Sequence, residues 1–567
     1  MDKKSIIIIG LCVILLLFWT KILEFVGLYK PAPPAPAQIT QVDSTGSETE
    51  TPLFIPEDET TTSTVDQTSA EPELADTTAL DSTFIEKTFL VTTPLYELQF
   101  TNKGGGINKI VLRKFDYLDD RTGQVVLAES ENKVVPDVYA GNNTFISGNH
   151  PFTTTETGFD LAAGSSPRSL TFTYTDPRGG RIVKTYTINP DAYDIGFEVS
   201  IEGIDQFGFE RDYKLVWGIS PRSTEKKQND DYAEFKVVAR MGGETSEYSD
   251  FDDGKMNEHV PSELTEWAGL RTKYFAAVMI PQNRNAAGVW ATGYEKKEMV
   301  GGDEINRRFV TPTLDMPIPR SGTQVDSFMI YVGPIDYDGL DKYGLGLQEM
   351  TSLGWVIIKP FSIAIIWLLP KLYSVIPNYG AVVLVFALLI KLITFPLSRK
   401  QTAAMAKMKD LQPKMKQLQE KYKNDPQRLN KEMMKLYKEA GANPLSGCLP
   451  MLPQMPIFFA LFTVFKTTIE FRGASFVGWI TDLSAPDPYF ILPIIMTLSM
   501  FVQQKMTMTD PKNKMLVYMM PLIFGYLFMN FPAGLVLYWT GFNILALAET
   551  LLVTKQQDEK NLQVKDA

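Results

Sequence analysis

Five apolar stretches crowd the last third of the chain: Tyr379–Leu397, Leu449–Thr468, Tyr489–Gln504, Met515–Asn530 and Ala533–Thr554. A helix needs roughly 20 apolar residues to cross ~30 Å of hydrocarbon, so each stretch is expected to span a bilayer. A sixth, Ile6–Trp19, runs without a charge behind Lys3 and Lys4. The mean hydropathy of −0.07 hides this pattern, because the rest of the chain is markedly polar. A cleaved signal peptide is the alternative for the N-terminus. Its only small-x-small candidates lie in Pro31–Ala37, where proline crowds the cleavage positions, so an uncleaved anchor is preferred.

Charge orders these spans. The net charge is −11, but residues 31–86 hold twelve acidic and no basic side chains, whereas 398–447 hold twelve Lys/Arg against five Asp/Glu. The positive-inside rule places the N-terminus, the 398–447 loop, the Lys505–Lys514 loop and the C-tail in the cytoplasm. Six crossings return the chain to its starting side, which forces the region after the anchor to the extracytoplasmic side. The expected fold class is a polytopic α-helical membrane protein with six transmembrane helices, five of them in a C-terminal core, and an extracytoplasmic all-β domain.

The partition follows from composition. Residues 1–30 read as the anchor and 31–83 as a disordered acidic linker, too poor in large apolar residues to offset chain entropy. Residues 84–338 alternate like strands. Ser169–Thr175 faces Arg181–Ile188 across Asp176-Pro-Arg-Gly-Gly180, a hairpin with explicit turn chemistry. Gly104-Gly-Gly106 reads as a bulge or turn, since neither a helix pattern nor Gly-Lys-Ser/Thr follows it. Many short strands over such a length suggest one large β-sandwich. Residues 339–378 hold an apolar run, Phe361–Leu369, too short to span and expected as an amphipathic helix on the outer membrane surface. The core covers 379–555. Within it 398–441 forms a helical hairpin, with apolar positions Met405, Met408, Leu411, Met415, Leu418 and Tyr422, a break at Asn424-Asp425-Pro426, then Leu429, Met433, Leu436 and Tyr437. Its lysine-rich face, with Arg399, Lys400, Lys407, Lys409, Lys414 and Lys416, is either a docking surface or a solvated face obeying the topology rule. Residues 556–567 are a short cytoplasmic tail.

The chemical menu is short. Cys12 and Cys448 lie in apolar blocks, and His150 and His259 in the polar region between spans. A Cys/His zinc site and a Ser-His pair inside the bilayer have no residues to build them. No enzyme activity, cofactor or metal is expected. One cation sits deep in a span: Lys391, eight residues or ~12 Å inside Arg399. An ammonium there costs on the order of 2.5–3.5 kcal/mol, so it either faces a wet cavity or snorkels with local thinning. Gln503, Gln504, Tyr538, Trp539 and Asn543 are further polar candidates for such a cavity, although Trp539 also suits an interface anchor. Glu549 reads as snorkelling inward, and Glu470 and Arg472 as marking the outer interface. Fifteen of 23 methionines fall between Met405 and Met529, suited either to a surface accepting many partners or to plain apolar filling.

Several motifs then point to a family. Phe395-Pro-Leu-Ser398, Met405-Ala-Lys-Met408, Leu411-Gln-Pro413, Asn443-Pro-Leu-Ser-Gly-Cys448, Pro453-Gln-Met-Pro-Ile-Phe458, Asp482-Leu-Ser484, Asp487-Pro-Tyr489 and Phe531-Pro-Ala-Gly-Leu-Val-Leu-Tyr538 together resemble the YidC membrane-protein insertases over about residues 355–555. The anchor and large extracytoplasmic domain are similar to the Gram-negative form, whose domain is a galactose-mutarotase-like β-supersandwich. The resemblance implies a hydrophilic groove open to the cytoplasm and to lipid. Lys391 stands where the family carries an arginine, and Gln504 (or Gln503) and Trp539 match its glutamine and aromatic residue. It further implies insertion of nascent inner-membrane proteins, alone or with the Sec translocon, or alternatively a chaperone role downstream of that translocon. The implied partners are nascent membrane proteins, the Sec translocon with its accessory subunits, the ribosome and signal recognition particle machinery, and the phospholipid bilayer. No sequence-specific nucleic-acid binding is implied.

Overall fold

The computed structural model of the protein describes residues 84–140, 145–209, 211–440, 451–507 and 514–565; side chains at 400–410, 451–453, 507, 514–517 and 553–565 are not described. The expected anchor and acidic linker (1–83) and the Asn443–Cys448 motif therefore lie outside the described residues, as do the side chains of Lys400, Lys407 and Lys409.

Strands dominate from Thr88 to Pro334. The first six are β1 (Thr88–Thr92), β2 (Tyr96–Thr101), β3 (Gly106–Asp116), β4 (Gln124–Glu129), β5 (Asp137–Ala140) and β6 (Phe159–Asp160). Then come β7 (Arg168–Thr175), β8 (Arg181–Ile188), β9 (Asp194–Glu202), β10 (Asp212–Val216), β11 (Lys236–Met241) and β12 (Glu244–Tyr248). The longest follow: β13 (Lys255–Arg271), β14 (Phe275–Pro281), β15 (Ala286–Val300), β16 (Asp303–Pro317) and β17 (Thr323–Pro334). They form a five-stranded sheet, β4-β3-β2-β1-β6, and a twelve-stranded one, β5-β10-β16-β15-β13-β14-β17-β9-β8-β7 with β11 and β12 at its side. One apolar core draws on both sheets, including Leu98, Phe100, Ile110, Phe172, Tyr186 and Phe197. A second core, around Trp267, Val278 and Ile280, is covered by Leu340, Leu347 and Met350 from the segment that leaves β17.

Local chemistry explains the turns. β7 and β8 pair from Arg168↔Ile188 to Thr175↔Arg181. Between them Asp176 Oδ1 accepts from the Arg178 backbone at 2.8 Å, and Gly179 takes a φ of +103°. The glycine run is a turn: Gly104 and Gly105 both have positive φ, and a Cβ on Gly105 would lie 2.8 Å from Phe152 and Phe172. Lys184, at an inward position of β8, fastens this turn. Its fully buried Nζ donates to the Gly104 carbonyl at 2.8 Å and to Ser147 Oγ at 2.7 Å. Burial pulls the Lys184 ammonium down to about 8, against the opposing field of Asp137.

Helices follow: α1 (Lys359–Tyr373), α2 (Tyr379–Lys421), α3 (Pro426–Glu439), α4 (Met451–Thr467), α5 (Ile491–Thr507), α6 (Lys514–Phe528) and α7 (Ala533–Lys565). Asn378 caps α2, accepting from the Ala381 backbone at 2.9 Å. The sequence suggested a span ending at Leu397 and a separate hairpin arm, yet α2 is one helix of 43 residues. Nothing between 397 and 405 breaks it, since Pro396 removes only one backbone donor and Ser398–Lys409 contains no glycine. The break does fall at Asn424-Asp425-Pro426, where Asp425 caps α3 through the Arg428 backbone (3.0 Å). Leu411 and Met415 of α2 pack on Met433, Leu436 and Tyr437 of α3. Helix α7 likewise continues through the expected tail to Lys565.

The helices keep one face in and one face out. Leu388 and Leu392 are exposed on α2, Ile494, Leu498 and Val502 on α5, and Tyr518, Leu522 and Tyr526 on α6, each at four-residue spacing. Outward apolar stripes on adjacent helices suit lipid rather than water. Among the described residues two helical segments are long and apolar enough to cross a membrane, Tyr379–Arg399 and Ala533–Leu552; Gln454–Thr467, Ile491–Met506 and Tyr518–Phe528 are shorter.

Candidate functional site: a buried ion pair between two helices

One end of the bundle carries polar loops built on the family-like motifs. Asp482 Oδ1 accepts from Gly473 N (3.2 Å), Ser484 N (2.8 Å) and Ser484 Oγ (2.7 Å). Asp487 accepts from Trp479 Nε1 (3.0 Å), Tyr489 N (3.0 Å) and Leu492 N (2.7 Å), which caps α5. The start of α7 hangs on this loop: Ala533 N donates to Ala485 O at 2.7 Å and Gly534 N to Leu483 O at 2.9 Å. Gly534 has no room for a side chain, since a Cβ would lie 2.6 Å from the Phe465 ring.

The same end is joined to the β domain. Arg472, expected at a membrane interface, is buried instead: its Nε lies 2.6 Å from Glu225 Oε1, and a guanidinium nitrogen donates to the Thr224 carbonyl at 3.2 Å. Tyr274 donates to the Lys466 carbonyl (3.0 Å), and Lys466 Nζ reaches Glu234 at 3.3 Å. Burial pushes the Glu234 carboxyl up, but Lys466, Arg271 and Lys236 override that and hold it at about 2. The reason is proximity across sequence: the chain returns to the β domain immediately after α4. Nearby Glu470, beside Asp336 and Asp338, goes the other way, raised to about 7 by burial and these like charges.

Far from this end sits Lys391. It lies twelve residues into α2, about 18 Å from Tyr379 at 1.5 Å per residue. Its ammonium is 2.7 Å from Glu549 Oε2 on α7, with both side chains under 10% exposed, and 5.1 Å from the Phe542 ring centre. Glu549 therefore does not snorkel, and the cation is not solitary. Helices α2 and α7 run side by side in the same direction, with Phe386 against Tyr538 and Leu384 against Gly541. That places Phe542 and Glu549, seven residues apart, on the face turned to α2.

The remaining sequence candidates divide by depth. Gln503 and Gln504, both half-buried, lie twelve and thirteen residues into α5, about 18–20 Å from Ile491 and level with Lys391. Trp539 lies six residues into α7, about 9 Å down, and is turned roughly 80° from Glu549. Its ring meets Phe458 of α4 and Phe528 of α6, at 5.2 and 5.9 Å between centres. Among the described residues no bond or ring contact joins it to Lys391. Tyr538, beside it, is buried and accepts from Gln454 Nε2 at 2.8 Å. Asn543 is buried with its Nδ2 unbonded. On the hairpin, Arg399, Lys414 and Lys416 are exposed. The two histidines fall into separate β-domain clusters: His150 stacks on Phe145, whereas His259 stacks on Trp290 and meets Asp315 at 2.9 Å. Sequence reasoning missed the Lys391–Glu549 and Arg472–Glu225 pairs. The first had a signal, two opposite charges each deep in an apolar stretch, which rarely stand apart in hydrocarbon.

A helical bundle with an apolar outer belt and a buried charge pair, joined at one end to a large β domain, defines a class of membrane-embedded protein with an attached sheet domain. The comparisons agree. Residues 371–560 match the 60Kd inner membrane protein family and residues 88–366 the YidC periplasmic domain. A membrane protein insertase YidC from Syntrophus aciditrophicus (strain SB) is 32% identical over 98% of this chain and 100% of its own length. Another, from Prosthecochloris aestuarii (strain DSM 271 / SK 413), is 30% identical over 99% of this chain and 96% of its own. A crystal structure of an active YidC insertase with its first transmembrane domain resolved covers 82% of this chain and 93% of that one, at 20% identity and a TM-score of 0.37. The chain belongs to the YidC family of membrane protein insertases.

Proposed function

We propose that this chain integrates nascent proteins into the inner membrane through a hydrophilic groove centred on Lys391. The observation that carries the reading is the Lys391–Glu549 pair, buried between two helices on the half of the bundle remote from the β domain. Polar groups at that depth shorten the apolar distance a polar segment must cross and reduce the several kcal/mol cost of exposing backbone or charge to hydrocarbon. An acidic N-tail is drawn toward the ammonium, and the membrane potential favours its export by ~2.3 kcal/mol per charge per 100 mV. The apolar helix of the substrate then leaves sideways into lipid, where burial drives the step.

In this reading the anchor and five core helices make six crossings. Both termini and the 398–441 hairpin lie in the cytoplasm and residues 84–338 in the periplasm, with 339–378 at the outer interface. Gln503 or Gln504 lines the groove with Lys391, and Trp539 lines its shallower part. Arg399, Lys400, Lys407, Lys409, Lys414 and Lys416 receive substrates, the ribosome and the signal recognition particle machinery, and the Sec translocon works beside the bundle. None of these steps calls for a catalytic residue or cofactor.

The test is complementation in cells depleted of the native insertase. Lys391→Ala is expected to cut insertion of acidic-tailed substrates severalfold and Lys391→Arg to retain it; full insertion by the alanine variant removes the cation from the mechanism. Reconstitution in translocon-free liposomes separates insertion from a chaperone role downstream of Sec.

A further inference from the structure

We infer that Glu549 is the resident counter-ion of Lys391, displaced by a substrate carboxylate, and thereby sets how sharply the groove discriminates by charge. The inference rests on the insertion reading above. Lys391 Nζ meets a single oxygen of Glu549 at 2.7 Å, and the other oxygen, Oε1, is buried without a hydrogen-bond partner. Among the described residues the only other ring or polar contact at the ammonium is the face of Phe542.

An ammonium has three donors and a carboxylate about four acceptor sites, so this pair is held by a fraction of the bonds it can form. A buried pair without those extra bonds is barely compensated for its desolvation. It is therefore exchangeable, unlike Arg284–Asp326 in the β domain, where two guanidinium nitrogens bond both carboxylate oxygens at 2.5 and 2.6 Å.

Exchange also conserves charge at the cation. When an incoming Asp or Glu takes Lys391, one carboxylate replaces another, and no bare ammonium is left at a depth where an unpaired charge is costly. Glu549 can leave toward the C-terminal part of α7, away from the loops at its start. A neutral tail has nothing to trade, so the closed pair holds it off. Glu549 is then a positioning residue, acting on substrates through Lys391.

The test uses the full chain in translocon-free proteoliposomes and single-span substrates whose N-tails carry net −2, 0 or +2. Wild type is expected to insert acidic tails over neutral ones. Glu549→Gln removes the competitor and is expected to raise the acidic-to-neutral ratio roughly five- to tenfold, the scale of one partly buried ion pair. Glu549→Asp, with a shorter reach, is expected to move the ratio the same way by less, and it decides the matter should the glutamine variant fail to accumulate. If both variants scale all three substrates by one factor, the pair is merely structural and the inference falls while insertion stands. Wild type no better than protein-free liposomes takes down the insertion reading and this inference with it.

Discussion

Arg472 shows how a single side chain holds the two halves of the molecule. Its side chain is 4% exposed against Glu225 at 7%, so Arg472→Ala strands a carboxylate inside the junction. The expected loss is about 3–5 kcal/mol, read as a lowered unfolding midpoint in detergent. Arg472→Met combined with Glu225→Gln is expected to recover much of it, because no bare charge remains. Equal losses from the single and double variants would contradict this account. At this scale the sequence was half legible. A lysine inside an apolar stretch announced itself, since few residues are so costly there. Its partner did not, because Glu549 is separated from it by 158 positions and sits close enough to Lys555 to pass for a side chain reaching out to water. Arg472 was misread for a related reason: a charge just beyond an apolar run looks like an interface marker unless one knows that another domain covers it.

Among the elements, the Asp482 and Asp487 loops are the clearest case of motif becoming geometry. Asp487→Ala removes the α5 cap and the Trp479 contact together. It is expected to cost about 1–2 kcal/mol, with faster proteolysis in 473–490 as the local readout. Gly534→Val puts a Cβ 2.6 Å from the Phe465 ring and 3.2 Å from Leu483 O and is expected to cost about 1–3 kcal/mol by tilting α7. An unchanged midpoint for either variant would show that the loop does not hold the helices. The β7–β8 hairpin and the α2–α3 turn were readable because Asp, Gly and Pro act within four residues. The continuity of α2 was not, since a change from apolar to basic composition marks where a helix leaves the bilayer but does not interrupt its backbone.

For the whole molecule, the junction predicts an acid response. Glu234 is held at about 2 against an ordinary 4.5, so between those values the unfolded chain binds more protons than the native one. The stabilisation is complete above pH 4.5 and is lost as pH falls toward 2. Glu234→Gln is therefore expected to unfold earlier than wild type at pH 6, with the gap narrowing below pH 4.5 and closing only near pH 2; a gap that stays constant with pH would refute the assignment. Alternation told of a β domain and apolar length told of a bundle, but the order β16-β15-β13-β14-β17 and the fastening of α4 to Tyr274, just before β14, are long-range choices that no local pattern encodes. Helix α2 has a consequence beyond stability. Its 43 residues make a rod of about 65 Å, of which the last 22 or so, roughly 33 Å, project past the apolar part like a boom. Pro396 leaves the Leu392 carbonyl without its usual donor, one missing bond in the helix five residues from Lys391. If the hairpin receives substrates as proposed above, a load at its tip bends the helix first at that missing bond, and the Lys391 end keeps its place.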